Sequence, residues 1–248
     1  PRSTLFPYTT LFRSATQRSN IWHHNGSMTL DPMFLKSVQV EAGVAPADAG
    51  PGALAGAVQM QTKDAKDMLL PGQDLGATLM ASYNTNSQSF RTTGAAYGAQ
   101  DGYEVLGILT RNMGENYING DGNGEAGTKD HLQSGLAKLA YESQSGHRFG
   151  VSGEYADDNA VRRMRPNLGE VSNGTGRLLN TTHATRLTTG LSYETTTPTA
   201  TYDPKVKLYY NRVGLQRPND TDQTAVASGV FNSNIETMGL KAQNTFAI

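Results

Sequence analysis

The sequence predicts an all-β protein of about eight antiparallel strands, read as a transmembrane β-barrel in preference to a soluble sandwich and preceded by a segment of different texture. Three observations carry this. From Asp74 onward, apolar residues alternate with period two over segments near the ~10 residues that a tilted membrane strand needs. After the brief link near Asn84–Gln88 the connections alternate short with long, with Thr196–Pro204 intermediate, as in outer-membrane barrels; the loops of a soluble sandwich need not sort by parity. No stretch approaches ~18 consecutive apolar residues, and no 3.6-residue periodicity appears after Asp74, so transmembrane helices and α/β folds are set aside.

The chain opens on "PRSTLFPYTTLFRS", Pro1–Ser14. Its apolar residues Leu5, Phe6, Leu11 and Phe12 are split by Pro7, Thr9 and Thr10. Arg13 falls where a secretory signal needs small residues. Back-translation of the whole stretch resembles a widely used sequencing-library adapter. Residues 1–14 are therefore expected to lie outside the fold without a partner, leaving Phe6, Tyr8 and Phe12 exposed.

Residues 15–70 follow. "LDPMFLKSVQVEAG" (Leu30–Gly43) passes through a short apolar turn into an alternating strand over 35–42. "VAPADAGPGALAGAVQMQTKDA" (Val44–Ala65) is a Gly/Ala/Pro loop running into a second strand over 57–63. Small residues there let backbones approach closely. Gly50, Gly52 and Gly56 lack dinucleotide-fingerprint spacing, and no Lys-Ser/Thr closes a P-loop.

The barrel strands are expected, in residues 71–248, at 75–84, 89–99, 102–113, 131–143, 147–157, 184–195, 205–215 and 234–246. "LGATLMASY" sets Leu75, Leu79 and Tyr83 on one face, and "HLQSGLAKLAYES" does the same with Ala137, Leu139 and Tyr141. Gln100–Gly102 and Gln144–Gly146 are tight turns, whereas Gly114–Asp130, Asp158–His183 and Gln216–Ser233 are long and polar. The net charge of −1 gives no footprint for nucleic acid. Absence of Cys removes disulfides and thiolate sites.

The two segments at Leu30–Gly43 and Gly50–Thr62 resemble the end of the plug domain of TonB-dependent outer-membrane receptors. The matching positions are Pro32, Leu35, Val38, Val40, Glu41 and Gly43, then Gly50, Gly52, Ala53, Leu54, Gly56, Val58, Met60 and Thr62. Ala49-Gly50 replaces an aromatic-Gly pair, and Ala57 replaces a second Gly, both leaving the loop small. The resemblance implies a barrel of about 22 strands with a plugged lumen in the bacterial outer membrane. It implies uptake of a scarce large solute, an iron–siderophore or related metal chelate first, driven by TonB with ExbB and ExbD. It implies contact with outer-membrane lipid and no resident cofactor. A passive porin-like channel or a binding or structural barrel is the alternative, and a barrel enzyme a distant one, since no nucleophile elbow or His-Glu-x-x-His helix is present.

Four local features invite chemistry. His23 and His24 are adjacent, so an extended chain points them to opposite faces, poor for one metal but open to ligand contact from a plug apex. Arg162, Arg163 and Arg165 suit an anionic ligand, or pair with Asp157 and Asp158 as a solvated charge run. Asn119, Asp121, Asn123 and Asp130 approach calcium-loop spacing without flanking helices or a terminal Glu, so a plain external loop competes with a calcium site. Trp22 reads as packing.

Overall fold

The computed structural model describes residues 9–11, 14–17, 30–43, 56–163, 179–220 and 229–246. In chain order, β1 (Thr9–Leu11) pairs with β2 (Ser14–Gln17), and β3 (Leu35–Ala42) pairs with β4 (Gly56–Thr62), each an antiparallel two-stranded sheet. Then come β5 (Leu75–Asn84), β6 (Ser89–Gln100), β7 (Tyr103–Met113), β8 (His131–Glu142), β9 (His147–Arg163), β10 (Leu179–Thr195), β11 (Pro204–Asp220) and β12 (Gly229–Asn244). These eight form one sequential antiparallel sheet. The only helical pieces among the described residues are two 3-10 turns, Pro32–Phe34 and Ala65–Asp67.

The expected strands are all present, and the last four are longer than expected. Apolar alternation fades near Asp157, yet β9 pairs on to Arg163 and β10 starts back at Leu179. Ladder hydrogen bonds join backbone to backbone and continue where no face is apolar. Residues 158–163 and 179–183 of the stretch read as a long loop are therefore the upper part of a hairpin. The expected tight turn at Gln100–Gly102 holds. Asp101 and Gly102 both have positive φ, 51° and 84°, the pairing a two-residue hairpin turn requires. A Cβ on Gly102 would sit 2.3 Å from the Glu142 carbonyl oxygen.

Period two divides the sheet into two faces. On the outer face Leu75, Leu79, Leu109, Leu139, Leu191, Met238 and Leu240 are exposed, Leu79 at 86%. Near the short turns this face carries a row of rings, Tyr103, Tyr141, Phe149 and Tyr193, in direct register across β7–β10. The Tyr103 and Tyr141 centroids are 4.7 Å apart, and those of Phe149 and Tyr193 5.1 Å. So much contiguous exposed apolar surface suits hydrocarbon, not water. No helix of the described residues is long and apolar enough to cross a membrane, and strands of 10 to 17 residues can do so.

The inner face holds the core. Phe34, fully buried, and Ala65 stand on Leu106, Ile108 and Leu136 of the wall, with Tyr97 alongside. Burying a ring of that size contributes roughly 2–3 kcal/mol. Tyr97 lies over Gly76, its cross-strand partner, and Tyr209 lies over Gly239 likewise; a Cβ at either glycine would fall 2.3 Å from the ring or its hydroxyl. β3 and β4 are not members of the wall.

One expectation fails for the residues that can be described. Thr9–Leu11, inside the adapter-like stretch, is not without a partner: it pairs with Ser14–Gln17 and runs beside β4, while Ser14–Gln17 lies near β10–β12. Strand pairing uses main-chain groups that every residue carries, so a segment needs no side-chain signal to join a neighbour. Phe6, Tyr8 and Phe12 lie outside the described residues.

Candidate functional site in the lumen

The segment over 30–70 is fastened to the inner face by charge as well as by Phe34. Asp31 is the first fastening. The Asp-Pro pair starts a 3-10 turn, the Asp31 carboxylate accepting from the Met33 backbone N–H at 2.9 Å. The same buried carboxylate pairs with Arg91 of β6 and accepts from the Ser134 hydroxyl of β8 at 3.0 Å. The second turn supplies the others. Lys138 of β8 donates to Asp64 at 2.9 Å and to the Thr62 carbonyl at 3.2 Å. Lys66 bridges Glu104 of β7 at 2.9 Å and Glu142 of β8 at 3.2 Å. Arg148 of β9 meets the far oxygen of Glu104 at 3.2 Å and Glu194 at 3.5 Å. Lys36 pairs with Asp67 within the segment.

These contacts bias protonation. Burial pushes the Asp64 carboxyl upward, but Lys138, with Arg148 and Lys36 behind it, prevails and holds it below its ordinary 3.8. The Glu104 carboxylate, with help from Glu142, raises Lys66 above 10.5 against its partial burial.

Between this segment and β8–β12 lies a cavity of about 680 Å³. Its lining is mixed, Met60 and Leu136 beside Lys138, Glu154, Ser192 and Lys207. Glu154, buried in the wall, pairs with Arg186 of β10, itself buried.

The residues marked in the sequence separate into groups. Pro32 opens the first 3-10 turn. Val40 and Glu41 lie in β3, Gly43 follows it at φ 98°, Gly56 begins β4 and Thr62 ends it. Glu41 and Ala57 are register partners. His23, His24, Gly50, Gly52 and Arg165 lie outside the described residues.

Arg162 and Arg163 are turned inward to the protein. Arg162 forks onto Asp158 at 2.6 and 2.9 Å and donates to the Lys129 carbonyl, and Arg163 pairs with Glu125 and reaches the Ala126 carbonyl. Both clamp the 114–130 connection against β9. In that connection the Asn119 side-chain oxygen accepts from the backbone N–H groups of Asp121 and Asn123, at 3.1 and 3.0 Å. An oxygen so engaged closes a turn. Asp130 accepts, through its backbone, from Gly114. Among the described residues no three His, Cys, Asp or Glu side chains converge as a metal site.

Sequence reasoning missed Asp31, Asp64, Lys66, Glu104, Lys138 and Arg148. A signal was present: Glu104, Lys138 and Arg148 occupy the positions of alternating strands opposite the apolar face, where a charge needs a lumenal partner.

No family model matches the chain. It is 39% identical over 232 residues to the Heme transporter BhuA of Brucella ovis, 94% of this chain and 34% of that protein. It is 29% identical to the TonB-dependent heme receptor A of Haemophilus influenzae over 137 residues, 54% of this chain and 18% of that one. The chain belongs to the TonB-dependent outer-membrane receptors. Its fold agrees: the FrpB iron transporter from Neisseria meningitidis superposes with a TM-score of 0.80 at 23% identity, over 92% of this chain and 37% of that one. The chain spans about a third of the length of the curated relatives first matched, and it is a segment of an outer-membrane β-barrel whose eight strands do not close. The exposed outer face of such a receptor meets lipid.

Proposed function

We propose that the receptor containing this chain imports haem, or a closely related iron chelate, through energy delivered by TonB with ExbB and ExbD. In this reading residues 15–70 are the C-terminal part of the plug and residues 71–248 the first part of the barrel. The observation that carries the proposal is the likeness, along nearly the whole chain, to a transporter named for haem. It narrows the sequence expectation within its own class, from siderophore complexes toward a haem chelate. The separate β3–β4 sheet, pinned through Asp31, Asp64 and Lys66 to the wall, supports the plug assignment and speaks for a gated importer over an open channel. The protein is read as a carrier of solute, not as an enzyme.

The test is growth of an iron-starved strain that lacks its own haem receptor and carries the full-length gene. Haemin should support growth only when TonB is functional. Growth on ferric siderophores but not haemin overturns the substrate. Haemin-supported growth in a TonB-deficient strain overturns energised import in favour of a passive channel.

A further inference from the structure

We infer that the lumen carries an anion-binding subsite centred on Lys207, beside Lys138 and the Ser192 hydroxyl, that receives a carboxylate of the transported chelate. The carboxylate's source rests on the haem reading above; the subsite itself does not.

The starting observation is register. Lys207 of β11 and Lys241 of β12 are direct cross-strand partners. Both sit at inward positions, two residues from Tyr209 and Gly239, which stack face to face inside the wall. Like charges directly opposite on one face destabilise a sheet. A wall that needed only to be polar would avoid this pair, and its neighbours show the alternative: Lys205 faces Gln243 and Asn211 faces Thr237. On the other side of Lys207, β10 offers Ser192, also opposite in register.

Charge accounting on the cavity gives the second observation. Lys207 and Lys138 line the same cavity of about 680 Å³. Every carboxylate lining it is already bridged to a lysine or arginine, in the pairs described above. Lys207, half-buried, has no hydrogen bond or ion pair among the described residues. A half-buried ammonium in contact with no carboxylate costs free energy that an anion would recover. Among the described lining residues Lys207 is thus the cation outside every ion pair, with the Ser152 and Ser192 hydroxyls on the same lining as further donors. A space this large, with Met60 and Leu136 on its walls, fits an organic anion with an apolar body better than a bare inorganic ion.

The experiment uses the full-length receptor with Lys207→Met and Lys207→Arg, both checked for normal membrane insertion by heat-modifiable gel mobility. Crystals soaked in bromide should show an anomalous peak in contact with the Lys207 ammonium that is absent in Lys207→Met. A wild-type crystal without that peak overturns the subsite. Cells are then supplied with haemin or with haemin dimethyl ester, whose carboxylates are masked. Lys207→Met should slow haemin import roughly tenfold, the scale of one charge-assisted hydrogen bond, with Lys207→Arg near wild type and ester import equal in all three. Unchanged haemin import in Lys207→Met, or an equal loss for the ester, overturns the assignment of the carboxylate. Should the wild type import neither macrocycle, the haem reading fails, and the bromide peak still decides the subsite.

Discussion

The inner faces of β6–β8 and of β9–β12 are made by the same period-two strands and have opposite characters. The first is dry: Leu106, Ile108 and Leu136 are covered by Phe34 and Ala65. The second is polar and charged: Glu154 and Lys207 line a chamber, and Arg186 and Asn211 are buried on the same face. The outer faces of both are apolar alike. The lipid side of a barrel strand obeys one rule all the way round, and the lumenal side answers to whatever covers it locally. Apolar burial there fixes the preceding segment on the wall. Ion pairs at the chamber's margin steer that segment while adding little to its hold, because partly exposed pairs contribute little.

The sharpest way to break this contrast is Phe34→Ala. Emptying a fully buried aromatic site should cost about 3–5 kcal/mol, seen as a lower denaturant midpoint of the refolded full-length receptor and as new protease cuts within residues 30–70. A loss below about 1 kcal/mol would show that the dry seam does not anchor the segment. Asp31→Asn should weigh less. Asparagine can still cap the 3-10 turn, but Arg91 loses its counter-charge, a loss of about 2 kcal/mol by the same unfolding measurement. An effect equal to that of Phe34→Ala would move the anchor from packing to charge.

The smallest effect concerns pH. Asp64 is held below 3.8 in the fold, so its stabilisation is present above 3.8 and is lost as pH falls through the lowered value. Lys66 is raised above 10.5, so its contribution is complete below 10.5 and is lost as pH rises through the raised value. Between these limits the two fastenings should give a flat stability profile, read as thermal midpoint against pH. If Asp64→Asn or Lys66→Met removes a slope between pH 6 and 8, the fastenings titrate elsewhere and the account of them is wrong.

The eight strands, the tight turn at Asp101-Gly102 and the separate pair β3–β4 were all legible, because alternation and turn chemistry are local signals. The heights of β9–β12 were not, since ladder bonds leave no mark on side-chain pattern. The fastenings were half legible: Lys138 between Ala137 and Leu139 announces a lumenal charge, but nothing in the sequence says that Asp64 meets it. Arg162 and Arg163 were read as anion seekers or as a charge run. The fold pairs Arg162 with Asp158, which that second reading named, and Arg163 with Glu125, which only the return of the 114–130 connection brings near.

The unforeseen length of the later strands has a consequence for how the cell's surroundings meet this protein. A strand of 17 residues, at ~3.4 Å per residue and tilted about 40°, climbs roughly 44 Å along the barrel axis, against an apolar band of about 25 Å. The hairpin arms of β9–β10 and β11–β12 therefore stand clear of a band of that height, on the side away from the short turns. The arm tips, Arg163 with Leu179 and Asp220 with Gly229, are thus the described parts of the chain that stand farthest from the band. Side chains there no longer answer to lipid and are freer to differ than those of the wall beneath.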